Sequence, residues 1–273
     1  MPADSETYVW MRPDRPRRGL QPPLTRDQIA TAAIGLADAD GVHGVTMRRV
    51  AAELGCGTMS LYRHVRSKDE LLDIMIDAVV GEEGAVPPAG PSGDWRADLA
   101  MMARAQRNAF LRHPWLPLVT PRRPLLGPNV LAQIDFLLSA VDGLGLAMDE
   151  MVGMIRTVDA FVRGYAQTEL AEQQWRRPWT ELTDHAWHRE ALPYVQHIAE
   201  SGRYPYFARI LAEAEKFPDP DATFEWQLQR VLDGLARAIP EPLAGERQQL
   251  QWALDGPAGA IPAPLAGEEP PGG

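Results

Sequence analysis

Between Thr46 and Lys68 the chain reads TMRRVAAELGCGTMSLYRHVRSK. The side chains in this run are of the kinds that hold nucleic acid. Thr58 and Ser60 offer short hydroxyls, and Met59 offers an apolar tip that suits a thymine methyl. Tyr62, Arg63 and His64 follow as larger groups for phosphates or base edges. Arg48 and Arg49 come before them, where phosphates would pass. Lys68 comes after, in a helix first turn whose free N–H groups also favour phosphate. The expected DNA contacts are Arg48, Thr58, Met59, Ser60, Tyr62, Arg63, His64 and Lys68. Tyr62 and His64 keep a second reading, as packing residues. Leu54, Leu61 and Val65 read as core, and Cys56 as a small turn residue.

A second set of residues suits a small apolar molecule. Six of the eight Trp lie between Trp95 and Trp226. Phe110, Trp115, Phe136, Phe161, Tyr165 and Trp187 are the candidate lining of a pocket that would be apolar with a few polar groups. Met148, Met151 and Met154 recur at three-residue steps and could join it, since Met adapts to irregular ligands. The same stripes also read as helix-bundle core. His185 and His188 share a helix face next to Asp184. They read either as a metal seat or as solvent-facing or pocket-lining groups. No metal or cofactor is expected.

Other chemistries lack their residues. There is no GxSxG, no Gly-rich phosphate loop and no HExxH, and the lone Cys56 sits in the turn, so an enzyme is not expected. A single cysteine allows no intrachain disulfide and no Cys-cluster metal site. There is no apolar run of roughly 18–20 residues and no secretory h-region, so a soluble cytoplasmic protein with no membrane partner is expected.

The elements that position these groups follow from caps and periodicity. Thr25 and Gln28 form a capping box, and Ile29, Ala33, Leu36 and Ala37 share one face of the helix that follows. Thr46 caps a short helix carrying Val50, Ala51 and Leu54. Gly55-Cys56-Gly57 makes a tight turn, and a third short helix runs from about Thr58 to His64. Two short helices about a Gly-containing turn fit a helix-turn-helix. Ser67 and Glu70 form a second capping box for a longer linking helix with Leu71, Leu72, Met75 and Val79 inward.

Residues 84–93, GAVPPAGPSG, break the pattern and mark a domain boundary. Helices are then expected from Asp94 to Arg112 and at about 127–143, 148–175, 184–201, 205–215 and 221–239. No segment alternates with period two, so the fold class is all-α. The domains are a disordered basic, Pro-rich arm (1–23), a helix-turn-helix domain (24–83), a ligand-binding and dimerisation domain (94–240) and a disordered Pro/Gly tail (241–273). The arm reads either as a solvated tail or as a basic strand touching DNA. Val158, Val162 and Tyr165 on one helix, and Trp226, Val231, Leu235 and Ile239 on another, are the expected faces of a two-fold dimer.

Charge sharpens this division. The net charge of −10 argues against a chain coated in positive charge. Residues 1–80 carry 10 Arg/Lys against 11 Asp/Glu, and residues 81–273 carry 17 against 26. The acidity therefore lies in the second domain. DNA contact falls to a few cations gathered on one face of the first.

The dense pattern from Thr46 through Val50, Ala51, Leu54, Gly55, Leu61, Tyr62, His64, Val65 and Lys68 to Leu71 and Leu72 resembles the DNA-binding domain of the tetracycline-repressor (TetR) family. The match spans about 25–80. Beyond 94 the likeness rests on helix layout and on Phe161-Val-Arg-Gly164-Tyr165. The resemblance implies DNA contacts at Arg48, at Thr58, Met59 and Ser60, at Tyr62 and His64 against the backbone, and at Lys68. The chain departs at Cys56 and Gly57, where the family more often has Val or Ala and then Ser. The family's metal–tetracycline site does not carry over. The resemblance implies a dimeric repressor of a palindromic double-stranded operator, released by a small-molecule effector. The alternative is a helix-turn-helix protein that works through protein–protein contacts without sensing a small molecule.

Overall fold

The computed structural model describes residues 8–12, 24–82, 86–119, 124–181, 193–213 and 219–240. Helices and short 3-10 turns account for its regular structure, and no strand occurs among the described residues. The helices are α1 (Arg26–Asp40), α2 (Met47–Glu53), α3 (Thr58–Tyr62), α4 (Lys68–Glu82), α5 (Trp95–Arg112), α6 (Pro128–Val141), α7 (Met148–Glu181), α8 (residues 193–200), α9 (Pro205–Glu213) and α10 (Pro220–Ala236). α7 continues past the expected end at 175 and through Pro178.

The first domain folds as its caps dictate. The Thr25 hydroxyl accepts from the Gln28 N–H and the Gln28 side chain accepts from the Thr25 N–H, which closes the box. The Thr46 hydroxyl accepts from the Arg49 N–H at the start of α2. Each such cap is worth about 1 kcal/mol. Ile29, Ala33, Val50, Leu61, Val65, Leu71 and Met75 are buried and hold α1 to α4 together. Leu54 is half-buried rather than fully core.

Two local expectations need correction. The second capping box is half made. Ser67 Oγ accepts from the Glu70 N–H (3.1 Å), but the Glu70 carboxylate accepts from the Arg66 N–H (2.8 Å) and from Arg12 (2.6 Å). The stretch 1–23 is also not wholly a free arm. Tyr8–Arg12 folds onto the first domain, with Val9 fully buried in a 3-10 turn and the Arg26 side chain bonded to the Arg12 carbonyl. Val9 has apolar area to bury, and Glu70 gives Arg12 a counter-charge.

In the second domain α7 packs against α5 on one side and α10 on another. Its Val158 and Val162 are therefore spent on the internal core, not on a partner, and Tyr165 is half-buried with its hydroxyl donating to the Pro220 carbonyl (2.7 Å). On α10, Val231 and Leu235 are half-buried, as is Ile239 just beyond it, while Trp226 is exposed. The centre of the domain is a buried ion pair. Arg107 on α5 grips Glu169 on α7 through two bonds (2.9 and 2.8 Å) and Asp221 on α10 through a third (2.8 Å). The guanidinium stacks 4.8 Å over Phe224, which itself stacks on Phe161.

α4 belongs to both domains. Its Asp77 does for α6 what an N-cap does from within a helix. The Asp77 carboxylate accepts from the N–H groups of Asn129 and Val130 (3.0 Å each), and the Asn129 side chain donates to the Asp77 carbonyl (3.0 Å). Gly127 makes this approach possible, because a Cβ there would lie 2.1 Å from the Asp77 carboxylate. A second bridge ties the turn after α5 to α1 as well as to the end of α4. His113, just after α5, has Nδ1 2.9 Å from Asp38 in the last turn of α1 and Nε2 3.1 Å from Glu82 at the end of α4. The Trp115 indole N–H donates to the same Asp38 (2.8 Å).

Candidate functional site

The first site is the face carrying α3. Gly55 takes φ of +62°, a left-handed conformation that glycine adopts without strain, and this turns the chain between α2 and α3. The Cys56 N–H donates back to the Ala51 carbonyl (2.9 Å). Leu61 and Val65 are fully buried and fix how α3 sits on the domain. The other side of α3 faces outward. Met59 is 76% exposed and Tyr62 41%, both large apolar groups in water with no intrachain reason to be there. Arg48, Arg63 and Lys68 are exposed, and Thr58, Ser60 and His64 are half-buried. Arg63 donates to the Ser60 hydroxyl (3.2 Å), so these two present a joint surface. The Lys68 ammonium lies 3.4 Å from the Val42 carbonyl, which neutralises no charge.

The residues expected to touch DNA lie on α2, on α3 and the turn after it, and at the start of α4, and each is at least partly exposed. Folding removes others from the pool of cations. Arg49 bonds Asp40 and the Gly44 carbonyl, and Arg12 bonds Glu70. Arg15, Arg17 and Arg18 lie outside the described residues.

The second site is a cavity of about 280 Å³ walled by α4, α5, α6, α7 and the turn after α5. Its apolar lining includes Ile76, Val80, Met101, Met102, Phe110, Leu116, Val119 and Val130. Gln106, Gln133, Asp159 and Arg163 give it a polar edge. The Gln106 amide donates to Asp159, and Arg163 donates to the Pro117 carbonyl (3.3 Å) while lying 5.1 Å over the Phe110 ring. The site can enclose an apolar body and meet hydrogen-bonding groups at one side.

Of the residues expected to line a pocket, Phe110 does so. Trp115 is turned away to Asp38, because its indole N–H needs a partner when buried. Phe136 is buried without joining this lining. Phe161 and Tyr165 pack on Phe224 instead. Trp187, His185 and His188 lie outside the described residues. The sequence reading missed Met101, Met102, Gln106 and Arg163. Met101 and Ala105 stand one helical turn apart on α5, and so do Met102 and Gln106, a periodicity that could have pointed to them.

Residues 29–75 match the family described as bacterial regulatory proteins, tetR family, and residues 87–239 match the tetracyclin repressor-like C-terminal domain. The HTH-type transcriptional repressor DrrR1 of Streptomyces coeruleorubidus is 44% identical over 227 residues, covering 83% of each chain. An HTH-type transcriptional regulator of Saccharopolyspora erythraea is 36% identical over 84% of this chain and 91% of its own. Among solved structures, the Streptomyces coelicolor TetR family protein ActR in complex with actinorhodin superposes with a TM-score of 0.64 at 30% identity, over 80% of this chain and all of the other. The chain belongs to the TetR family. It is a DNA-binding transcriptional regulator of the ligand-responsive repressor kind and not an enzyme. The reading as a protein–protein module without small-molecule sensing is not favoured.

Proposed function

We propose that the protein acts as a cytoplasmic homodimer that represses transcription from a palindromic operator and is released by a small molecule in the α4–α7 cavity. Arg48, Thr58, Met59, Ser60, Tyr62, Arg63, His64 and Lys68 make the DNA contacts. Arg48, Arg63 and Lys68 take phosphates, while Thr58, Met59 and Ser60 face base edges. The effector has an apolar, aromatic-compatible body and a hydrogen-bonding edge for Gln106 and Arg163. The ActR complex with actinorhodin supports a small-molecule effector of this regulator. A dimer is what paired half-sites demand, since two recognition helices must reach grooves one helical turn or so apart.

The observation that carries the reading is the position of α4. The helix that ends the DNA-binding domain also supplies Ile76 and Val80 to the cavity wall. A ligand that prefers a different seat for α4 shifts the population away from the DNA-fitting state. Mobility shift with the DNA upstream of its own gene tests this. A sequence-specific complex at moderate salt is expected, and charge reversal at Arg48 and Lys68 is expected to abolish it while the dimer persists. A complex that ignores those reversals would exclude this DNA face.

A further inference from the structure

The bridge from α1 to the turn after α5 is not explained by folding either domain alone. His113 and Trp115 are buried, at 4% and 2% exposed, and both spend polar atoms on Asp38. Their neighbours in the chain point the other way. Phe110, Leu116 and Val119 line the cavity. Backbone bonds from Leu116 N–H to the His113 carbonyl (2.8 Å) and from Leu118 N–H to the Trp115 carbonyl (3.2 Å) make 113–118 one tight unit. Whatever displaces Leu116 therefore displaces Trp115.

The number of attachment points sets how freely the first domain can turn. α4 alone would leave the first domain free to pivot about a single helix. Asp38 adds a second point, on a different helix, and Glu82 ties His113 to the end of α4 as well. Two points on two helices define an orientation. The shared core of α1 to α4 then passes that orientation to α3.

We propose that His113 and Trp115 are positioning residues that carry cavity occupancy to α1 through Asp38, in parallel with the movement of α4. The proposal rests on the small-molecule reading above. A ligand pressing on Phe110 and Leu116 shifts the 113–118 unit, and Asp38 follows because its carboxylate is held by two donors on that unit. In Trp115→Phe the ring stays and the donor goes. In Asp38→Ala the acceptor goes. Trp115→Phe loosens the tie to α1, leaving the His113 bond, and Asp38→Ala removes it, while both leave the cavity lining and the α3 face intact.

The test uses full-length dimer, its upstream DNA and anilinonaphthalene sulfonate (ANS) as the cavity probe, an aromatic body with one polar group. Operator affinity is measured with and without saturating ANS, and ANS affinity with and without DNA. Linkage requires the same factor both ways, and couplings of roughly 5–150-fold are usual. The wild type is expected to fall in that range. Trp115→Phe and Asp38→Ala are expected to bind DNA and ANS separately within about twofold of wild type while the coupling factor falls, further in Asp38→Ala, to the share that α4 carries. His113→Gln, which keeps a bridging side chain, is expected to retain part of it. Wild-type coupling that persists in Trp115→Phe and Asp38→Ala overturns the proposal alone. ANS that fails to bind, or binds without weakening operator binding in the wild type, overturns the small-molecule reading and the proposal with it.

Discussion

Arg107 is a buried charge held by two carboxylates. Burial works against its charge, but the bonds to Glu169 and Asp221 outweigh burial and hold its pKa above the ordinary value. The same neighbourhood acts on Tyr165, where burial first and the Glu169 charge second push the phenol pKa up. Glu169 is itself 8% exposed, so water cannot replace it. Glu169→Gln keeps the shape and removes the counter-charge, leaving Arg107 with the exposed Asp221. Urea unfolding followed by circular dichroism is expected to show a loss of about 3 kcal/mol, in line with breaking one side of a buried pair. An unchanged midpoint would mean that Asp221 alone suffices.

Among elements, the α4–α6 joint carries its own pH signature. Burial raises the Asp77 pKa above its ordinary 3.8, while the N–H groups of Val130 and Asn129 pull it part of the way back. A group that holds its proton more tightly in the fold adds stability below its unfolded pKa. It withdraws that stability as pH rises through the raised value. The stability of the wild type relative to Asp77→Asn is therefore expected to fall as pH is raised from below 4 into the neutral range. Denaturant midpoints measured for both proteins across that range check it, and a difference that is flat or grows with pH would contradict the assignment. The same joint explains what the sequence withheld. Thr25, Thr46 and Ser67 were legible because their caps close within three residues. The cap of α6 was not, because its acceptor comes from Asp77, more than fifty residues earlier. Glu70 was misassigned for a similar reason, since its partner Arg12 is distant in the chain. In the cavity, Phe110 was legible from its apolar spacing. Trp115 was not, because its polar N–H, answered only by the tertiary position of Asp38, decides its direction.

For the whole molecule, electrostatics set how DNA binding responds to salt. The acidic second domain repels the duplex, and folding withdraws Arg12 and Arg49 into intrachain pairs. Among the described residues, Arg48, Arg63 and Lys68 are the exposed cations of the proposed interface. Counting one phosphate for each in a dimer, the slope of log affinity against log salt is expected to be about −5. Fluorescence anisotropy over a salt series measures it. A slope near zero would remove these cations from the interface.

The bond from Asp38 to His113 and Trp115 also bears on how such regulators can be recombined. The visible seam is the Pro/Gly stretch at 84–93, where a hybrid gene would naturally be spliced. A splice there keeps the covalent chain and still separates Asp38 from the residues it serves. A chimera that sets this reading head on a foreign sensor would lose the Asp38 bonds and, on the proposal above, part of the conversation between its halves. To keep it, the α1 terminus and the 113–118 turn should come from the same parent.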